Sequence, residues 1–311
     1  MRYTLRQLHY FAATADHGSI SKAARALSVS QPSISSAILQ LERQYDVVLF
    51  LRQNSAGVTL TPSGEILLRE ARIILNHAED FEAIATSVVN EVTGELKVAT
   101  FINLAPVYMA SLVRSFQNRY PRIAIDLTIR NQQEVYDAID SGKCEIGLTF
   151  DLELPANYRR DSIATFAPQA VLPLDHPLAD QAAVSLEQLT VGNFIYLDLP
   201  HSSKYFFSLF ERQGLRPLQS QPVGNFETIR SFVGNGLGYS ILNLKPLNQT
   251  NYDGTQVRYV PLNGSHRSLE LCCISLKRDV YRRAALASSI MLRIISAEKP
   301  IGSVPVGFAK L

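Results

Sequence analysis

Between Thr61 and Gly94 apolar residues recur at spacings of four and three: Leu67, Ala71, Ile74, Ala78, Phe81, Ala85 and Val88. Three heptads of that repeat predict a single long helix with a coiled-coil seam. About 30 residues rising 1.5 Å each make a rod of about 45 Å. Thr61 and Pro62 suit its start, Glu65 lies near its positive end, and Gly94 closes it. The rod, residues 62–93, stands between a head, residues 1–61, and a body, residues 94–311. Alanines at alternate seam positions admit a second chain at close range; packing along the protein's own body is the alternative reading.

Composition narrows the class. Hydrophobic residues make up 46% and charged residues 19%, the balance of a globular chain and not of a disordered one. No apolar run reaches the roughly 18 residues needed to cross a bilayer, and the start lacks the apolar core of a secretion signal. With three cysteines and no framework for disulfides, the chain reads as a cytoplasmic protein without a membrane partner. Residues 1–62 hold six basic side chains against three acidic ones, whereas the rest holds twenty-four against twenty-five. The positive excess therefore sits in the head, which permits contact with nucleic acid there.

Within the head, Leu5, Leu8, Phe11, Ala12 and Ala15 fall on one face of a helix that Gly18 terminates. Ser21 is placed to cap a short second helix with Ala23, Ala24 and Leu27 as its apolar side. After a tight turn at Ser28–Ser30, a third helix opens with Ser30 as cap and Pro32 in its first turn, burying Ile34, Ala37, Ile38 and Leu41. Two helices joined by such a turn and braced by a third form a helix-turn-helix. The third helix turns Gln31, Ser33, Ser35, Ser36 and Gln40 outward, donors and acceptors without a carboxylate. That chemistry suits the major groove of DNA; a solvated bundle face is the plainer alternative.

These residues carry a family resemblance. The runs Leu8-His9-Tyr10-Phe11, Gly18-Ser19-Ile20-Ser21-Lys22-Ala23-Ala24 and Leu27-Ser28-Val29-Ser30-Gln31-Pro32-Ser33-Ile34-Ser35 come first. Ile38, Leu41-Glu42, Leu49-Phe50 and Arg52 follow, and Leu60-Thr61-Pro62-Ser63-Gly64-Glu65 ends the match. Together they resemble the LysR-type transcriptional regulators. Tyr45-Asp46 stands where the family commonly has Leu-Gly, and the segment from Arg52 to Leu60 is a residue longer than usual. The resemblance implies an α/β protein with an N-terminal winged helix-turn-helix that is otherwise all-α. Its wing would lie near Val48–Leu51 and Val58–Leu60, with Gln31, Pro32, Ser33, Ser35, Ser36, Gln40 and Arg52 at the DNA. It further implies two Rossmann-like lobes of the periplasmic-binding-protein type 2, lobe I over about 94–165 and 268–297 and lobe II over about 166–267. The implied partners are an inverted-repeat operator in double-stranded DNA, a small effector, further copies of the chain (a dimer or tetramer) and RNA polymerase.

From Glu95 the periodicity alternates between strand and helix, which predicts a parallel sheet. Strands are expected at Leu96–Phe101, Ile123–Ile129, Cys144–Phe150, Phe194–Leu199, Tyr239–Leu242 and Leu269–Leu276. Helices are expected at Ala105–Tyr120, Glu134–Ser141, Ser203–Gln213, Thr228–Gly234 and about Val280–Ala297, ahead of a frayed tail. Ligands of open α/β sheets sit beyond the carboxyl ends of strands. That rule selects Thr100, Phe101, Asn103, Arg130, Phe150 and Asp151 on one side, and His201, Ser202, Ser203, Asn225, Phe226 and Glu227 on the other. Arg130 suits a carboxylate effector and Asp151 or Glu227 an amine. Capping by Thr100 or Ser202 and a core role for the phenylalanines are the plain alternatives.

Other chemistry is weakly signalled. Gly234-Asn235-Gly236-Leu237-Gly238 follows a helix and precedes a strand, the reverse of a phosphate loop. The six histidines lack metal-ligand spacing, and no nucleophile elbow or carboxylate pair appears, so no metal, cofactor or enzymatic activity is expected. Two competing readings remain. One is a redox-sensing regulator using Cys144, Cys272 or Cys273; the other is a solute-binding or enzymatic α/β protein with an accessory helical head.

Overall fold

The computed structural model describes residues 3–53, 57–86, 94–277 and 303–305. Its head opens with α1, Leu5–His17, whose first turn is closed reciprocally by Thr4 and Gln7 and whose end is a left-handed Gly18. Ser19, not Ser21, caps α2, Ile20–Ala26, and Ser21 lies inside that helix. Ser30 caps α3, Gln31–Tyr45, and Asp46 ends it in the left-handed region. Strands β1, Phe50–Gln53, and β2, Gly57–Leu60, pair antiparallel and form the wing. The hairpin is held to α1 through Val58 N–H donating to the Gly18 carbonyl at 2.9 Å. Gly57 is obligatory there: its φ is +109°, and a Cβ would collide with that same carbonyl.

The stalk is α4, Pro62–Thr86. Thr61 fixes its origin by donating to Val48 O at 2.6 Å and accepting from Gly64 N–H at 2.9 Å. Leu68 and Ala71 on this helix are buried in the head's own core, beside Leu8, Phe11, Ile34 and Leu41. Residues 87–93, and the predicted helix at 280–297, lie outside the described residues.

The body begins with β3, Gly94–Phe101. One π-helical turn at Ala105–Met109 leads into α5, Ala110–Arg119, followed by β4, Ile123–Arg130, α6, Gln132–Asp140, and β5, Ile146–Phe150. Next come β6, Tyr158–Phe166, β7, Gln169–Pro173, and α7, Leu186–Leu189. Then β8, Asn193–Leu197, α8, Ser202–Glu211, β9, Gln219–Val223, and α9, Phe226–Gly234, follow in order. The chain continues through β10, Ser240–Leu242, β11, Val257–Pro261, β12, Leu269–Leu276, and β13, Ser303–Pro305.

The first lobe holds a sheet of order β13-β6-β12-β5-β3-β4. It is parallel at β3, β4 and β5 but antiparallel where β12 meets β5 and β6, so the expectation of a purely parallel sheet is corrected. The reason is topological: β12 returns from the second lobe and enters from the opposite end. Ser303–Pro305 pairs with β6, so that part of the tail is an edge strand and not frayed. The second lobe contains the sheet β10-β7-β11 and the parallel pair β8-β9. Cys144 precedes β5 and is not part of it. The chain leaves the first lobe between β6 and β7 and returns between β11 and β12, so the segments 167–168 and 262–268 join the lobes.

Candidate nucleic-acid interface and effector groove

Small residues set the geometry of the head. Ala23 and Ala24 are buried against Ile34, Ile38 and Leu41, which lets α2 lie close on α3. Gln31, Pro32, Ser33, Ser36 and Gln40 are exposed and Ser35 is half-buried. No carboxylate interrupts this ridge, because Glu42 turns inward and accepts from Leu49 N–H at 2.8 Å. Two of the expected DNA contacts already have partners. The Ser33 hydroxyl is 2.7 Å from that of Ser30, within the helix cap, and the Gln40 carbonyl accepts from Gln7 at 3.0 Å, tying α3 to α1. Arg52 lies on β1 opposite Val58.

The proposed seam divides into two parts. Ala71 is buried by the protein's own head, and Leu67 and Ile74 pack partly against it, so Ala71 is corrected from a partner contact to a head contact. Ala78 is half-buried, Phe81 is 72% exposed, Ala85 lies within α4, and Val88 falls outside the described residues. At this junction Arg72 donates to Asp16 at 2.5 Å and to Ser141 O at 2.8 Å, joining head, stalk and first lobe. Burial pulls its pKa down and the Asp16 carboxylate pushes back. Lys143 lies 3.7 Å from the same carboxylate.

The midline between the lobes is nearly filled. Phe101 meets Phe150 edge-on at 6.2 Å, and Phe150 meets Phe166 at 5.7 Å. Phe101 and Phe150, with Asn103, Ser202, Tyr205 and Phe226, leave a slot of only about 30 Å³. A groove of about 690 Å³ opens to one side, between the turn after β3, the start of α9 and the loop after β10. Asn103, Phe226 and Glu227 line it, as do Ile102, Val107 and Lys245.

Several expected ligand contacts are engaged elsewhere. Thr100 is fully buried and its hydroxyl points at Leu148 O, 3.5 Å away. Arg130 lies in the hollow beneath the stalk with Lys97 and Asp126, away from the groove. Asp151 is held by Arg267 at 3.3 Å and by Glu270 N–H at 2.7 Å. Both Glu227 oxygens accept from Arg230 at 2.7 Å. Ser202 is buried and Ser203 half-buried in the first turn of α8. Neither acid is therefore available to an amine, and Arg130 is not placed to meet a carboxylate in the groove.

His201 serves another purpose. It adopts a left-handed φ of 67° before α8. Its Nδ1 is 2.6 Å from Glu153 and its Nε2 is 2.8 Å from Gln133 Oε1. The Gln133 amide is oriented by its own Nε2, which donates to Asp137 at 2.9 Å. Both ring nitrogens thus face oxygen acceptors. Lys204 also donates to Glu153, and Tyr136 packs on the imidazole at 5.8 Å. This polar clasp joins α8 of the second lobe to α6 and the β5–β6 loop of the first.

Lys204, and then His201, hold the Glu153 carboxyl below its ordinary range. The Glu153 carboxylate's own contribution is therefore complete above the ordinary carboxylate pKa of about 4.3 and is lost as pH falls through the lowered value. Glu153→Gln is expected to flatten that acid-side loss of stability. Denaturant unfolding of both proteins between pH 3 and 6 checks this, and parallel pH profiles would contradict it.

Cys144, Cys272 and Cys273 are buried. Burial, followed by the Asp126 charge, raises the Cys144 thiol to about 11; burial and then Asp151 raise Cys272 to about 12. Thiols so shifted are poor nucleophiles. Millimolar peroxide is expected to leave all three unmodified in the folded protein, as read by intact mass, with rapid labelling only after unfolding. Among the described residues no cluster of metal-binding side chains occurs. No described helix is long and apolar enough to cross a membrane.

Sequence reasoning missed Lys245, Leu247 and Tyr252 because their loop has no periodicity to read. It missed Gln133, Glu153 and Lys204 because their partners are distant in sequence.

Two families match this chain: "Bacterial regulatory helix-turn-helix protein, lysR family" over residues 5–65 and "LysR substrate binding domain" over residues 90–289. The helix-turn-helix-type transcriptional regulator YnfL of Escherichia coli (strain K12) is 32% identical over 84% of this chain and 88% of its own length. The Hca operon transcriptional activator HcaR of the same organism is 31% identical over 86% and 90%. Among solved structures, HinK of Pseudomonas aeruginosa, a LysR family transcriptional regulator, superposes with a TM-score of 0.63 at 33% identity, covering 95% of this chain and 99% of that one. A full-length cysteine-to-aspartate variant of OxyR from the same organism shares the fold at 20% identity, with a TM-score of 0.80 over 99% and 100%.

Proposed function

This chain belongs to the LysR family of transcriptional regulators, and from that premise we propose that it reads an inverted-repeat operator as a self-associated assembly, under control of a small ligand held between its lobes. The carboxylate-free ridge of α3, presented over a closely packed α2, carries the DNA reading. Gln31, exposed at the first position of α3, pairs with an adenine edge; Ser35 and Ser36 contact phosphate or bases singly, and Arg52 meets phosphate beside the wing. Pairing of stalks through Phe81 delivers two heads to two half-sites. The side groove receives the effector, and the two connecting segments between the lobes act as its hinge. Contact with RNA polymerase and residence in the cytoplasm belong to the same reading.

Footprinting on the promoter beside its own gene tests the whole. A protected, two-fold-related pair of half-sites is expected; uniform protection or none would refute it. Gln31→Ala is expected to remove about 1–3 kcal/mol of discrimination at one base pair in each half-site while leaving affinity for scrambled duplex unchanged. Equal losses on both duplexes would assign Gln31 to backbone contact.

A further inference from the structure

The side groove has a charge imbalance that limits what it can hold. Among the described residues two charged side chains line it, Glu227 and Lys245. Glu227 is neutralised in both oxygens by Arg230, whose side chain is buried and whose other nitrogen donates to Asn248 O at 2.9 Å. Lys245 has no carboxylate partner among the described residues. Its ammonium stands 5.9 Å above the Tyr259 ring, which orients a cation without neutralising it. Around this cation the walls are apolar and wet: Val107 is 42% exposed, Leu247 83% and Tyr252 89%. Apolar groups left in water around an uncompensated ammonium complement a ligand with an anionic end and a hydrocarbon body.

We propose, building on the ligand-regulated reading above, that this groove takes a small apolar monocarboxylate, with Lys245 pairing the carboxylate and Leu247 and Tyr252 covering the hydrocarbon. Lys245 thereby decides charge specificity. Asp151 and Glu227 take no part in recognition, since each already has a cation. The aromatic slot at the midline is too small for such a molecule, so the body of the ligand lies on the α9 side of it.

Thermal shift and titration calorimetry on the full chain test this with matched probes: phenylacetate, phenylacetamide, phenethylamine and acetate. Phenylacetate is expected to stabilise the protein in a saturable way; the other three, which lack either the charge, its sign or the hydrocarbon, are expected not to. Lys245→Met should weaken phenylacetate by about tenfold or more, while Lys245→Arg stays within about threefold. Equal response to the amide or amine, no response to phenylacetate, or an unchanged affinity in Lys245→Met would each overturn the proposal. Operator binding by the unaltered chain without probe is read alongside. Its absence would count against the regulator reading, whereas operator binding without any response to phenylacetate would overturn this proposal alone.

Discussion

Phe194→Ala is expected to destabilise the effector region by about 3–5 kcal/mol. The ring is fully buried on β8 and meets four others: Phe210 at 5.2 Å, Tyr239 at 5.4 Å, Phe207 at 5.8 Å and Tyr196 at 6.0 Å. These neighbours come from α8, from the strand itself and from the residue before β10. Collapse of any one into the vacated space would pull its element out of register, so the cavity stays largely open. Urea unfolding followed by near-ultraviolet circular dichroism should show the midpoint falling by about 1 M or more. A shift under half of that would mean that the aromatic layer relaxes around the deletion. The head has a separate core and should keep its own transition.

The second large effect is on assembly. Phe81→Glu is expected to dissociate the paired stalks and lower operator affinity by about 10²–10⁴-fold. That is the range lost when two tethered heads must bind independently. The premise is the ring's 72% exposure on a helix whose lower half already spends its apolar residues on its own head. Placing a carboxylate there puts two like charges face to face across a two-fold axis. Sedimentation velocity at micromolar protein reads the first effect and a gel shift on the intact palindrome the second. A variant that still sediments as the parent would remove Phe81 from the interface.

The head was readable because its information is local. Thr4 with Gln7, Ser30 with Ser33 and Gly18 each act within about four residues; the apolar stripe of α3 buries what its spacing requires, and on α1 Leu8, Phe11 and Ala12 are buried whereas Leu5 is exposed. The body was readable only where strand and helix alternate. β6 opens with Tyr158, Arg159, Arg160 and Asp161 and becomes a strand by lying beside β12, more than a hundred residues on. Nothing in its own composition announces that neighbour. The same distance hides the true role of Asp151, which is occupied by Arg267 and Glu270 from the far end of the lobe. Glu227 is different: Arg230 stands three residues along the same helix, and that pairing could have been anticipated from helical geometry.

One helix links the parts. α6 offers Gln133 and Tyr136 to His201 near its beginning and, just past its end, the Ser141 carbonyl to Arg72. Nine helical residues span only about 13 Å and do not stretch appreciably. A tilt imposed where the lobes meet therefore reappears as a displaced acceptor under the guanidinium. The head, gripped through Asp16 on the other side of that same guanidinium, must either follow the movement or let go.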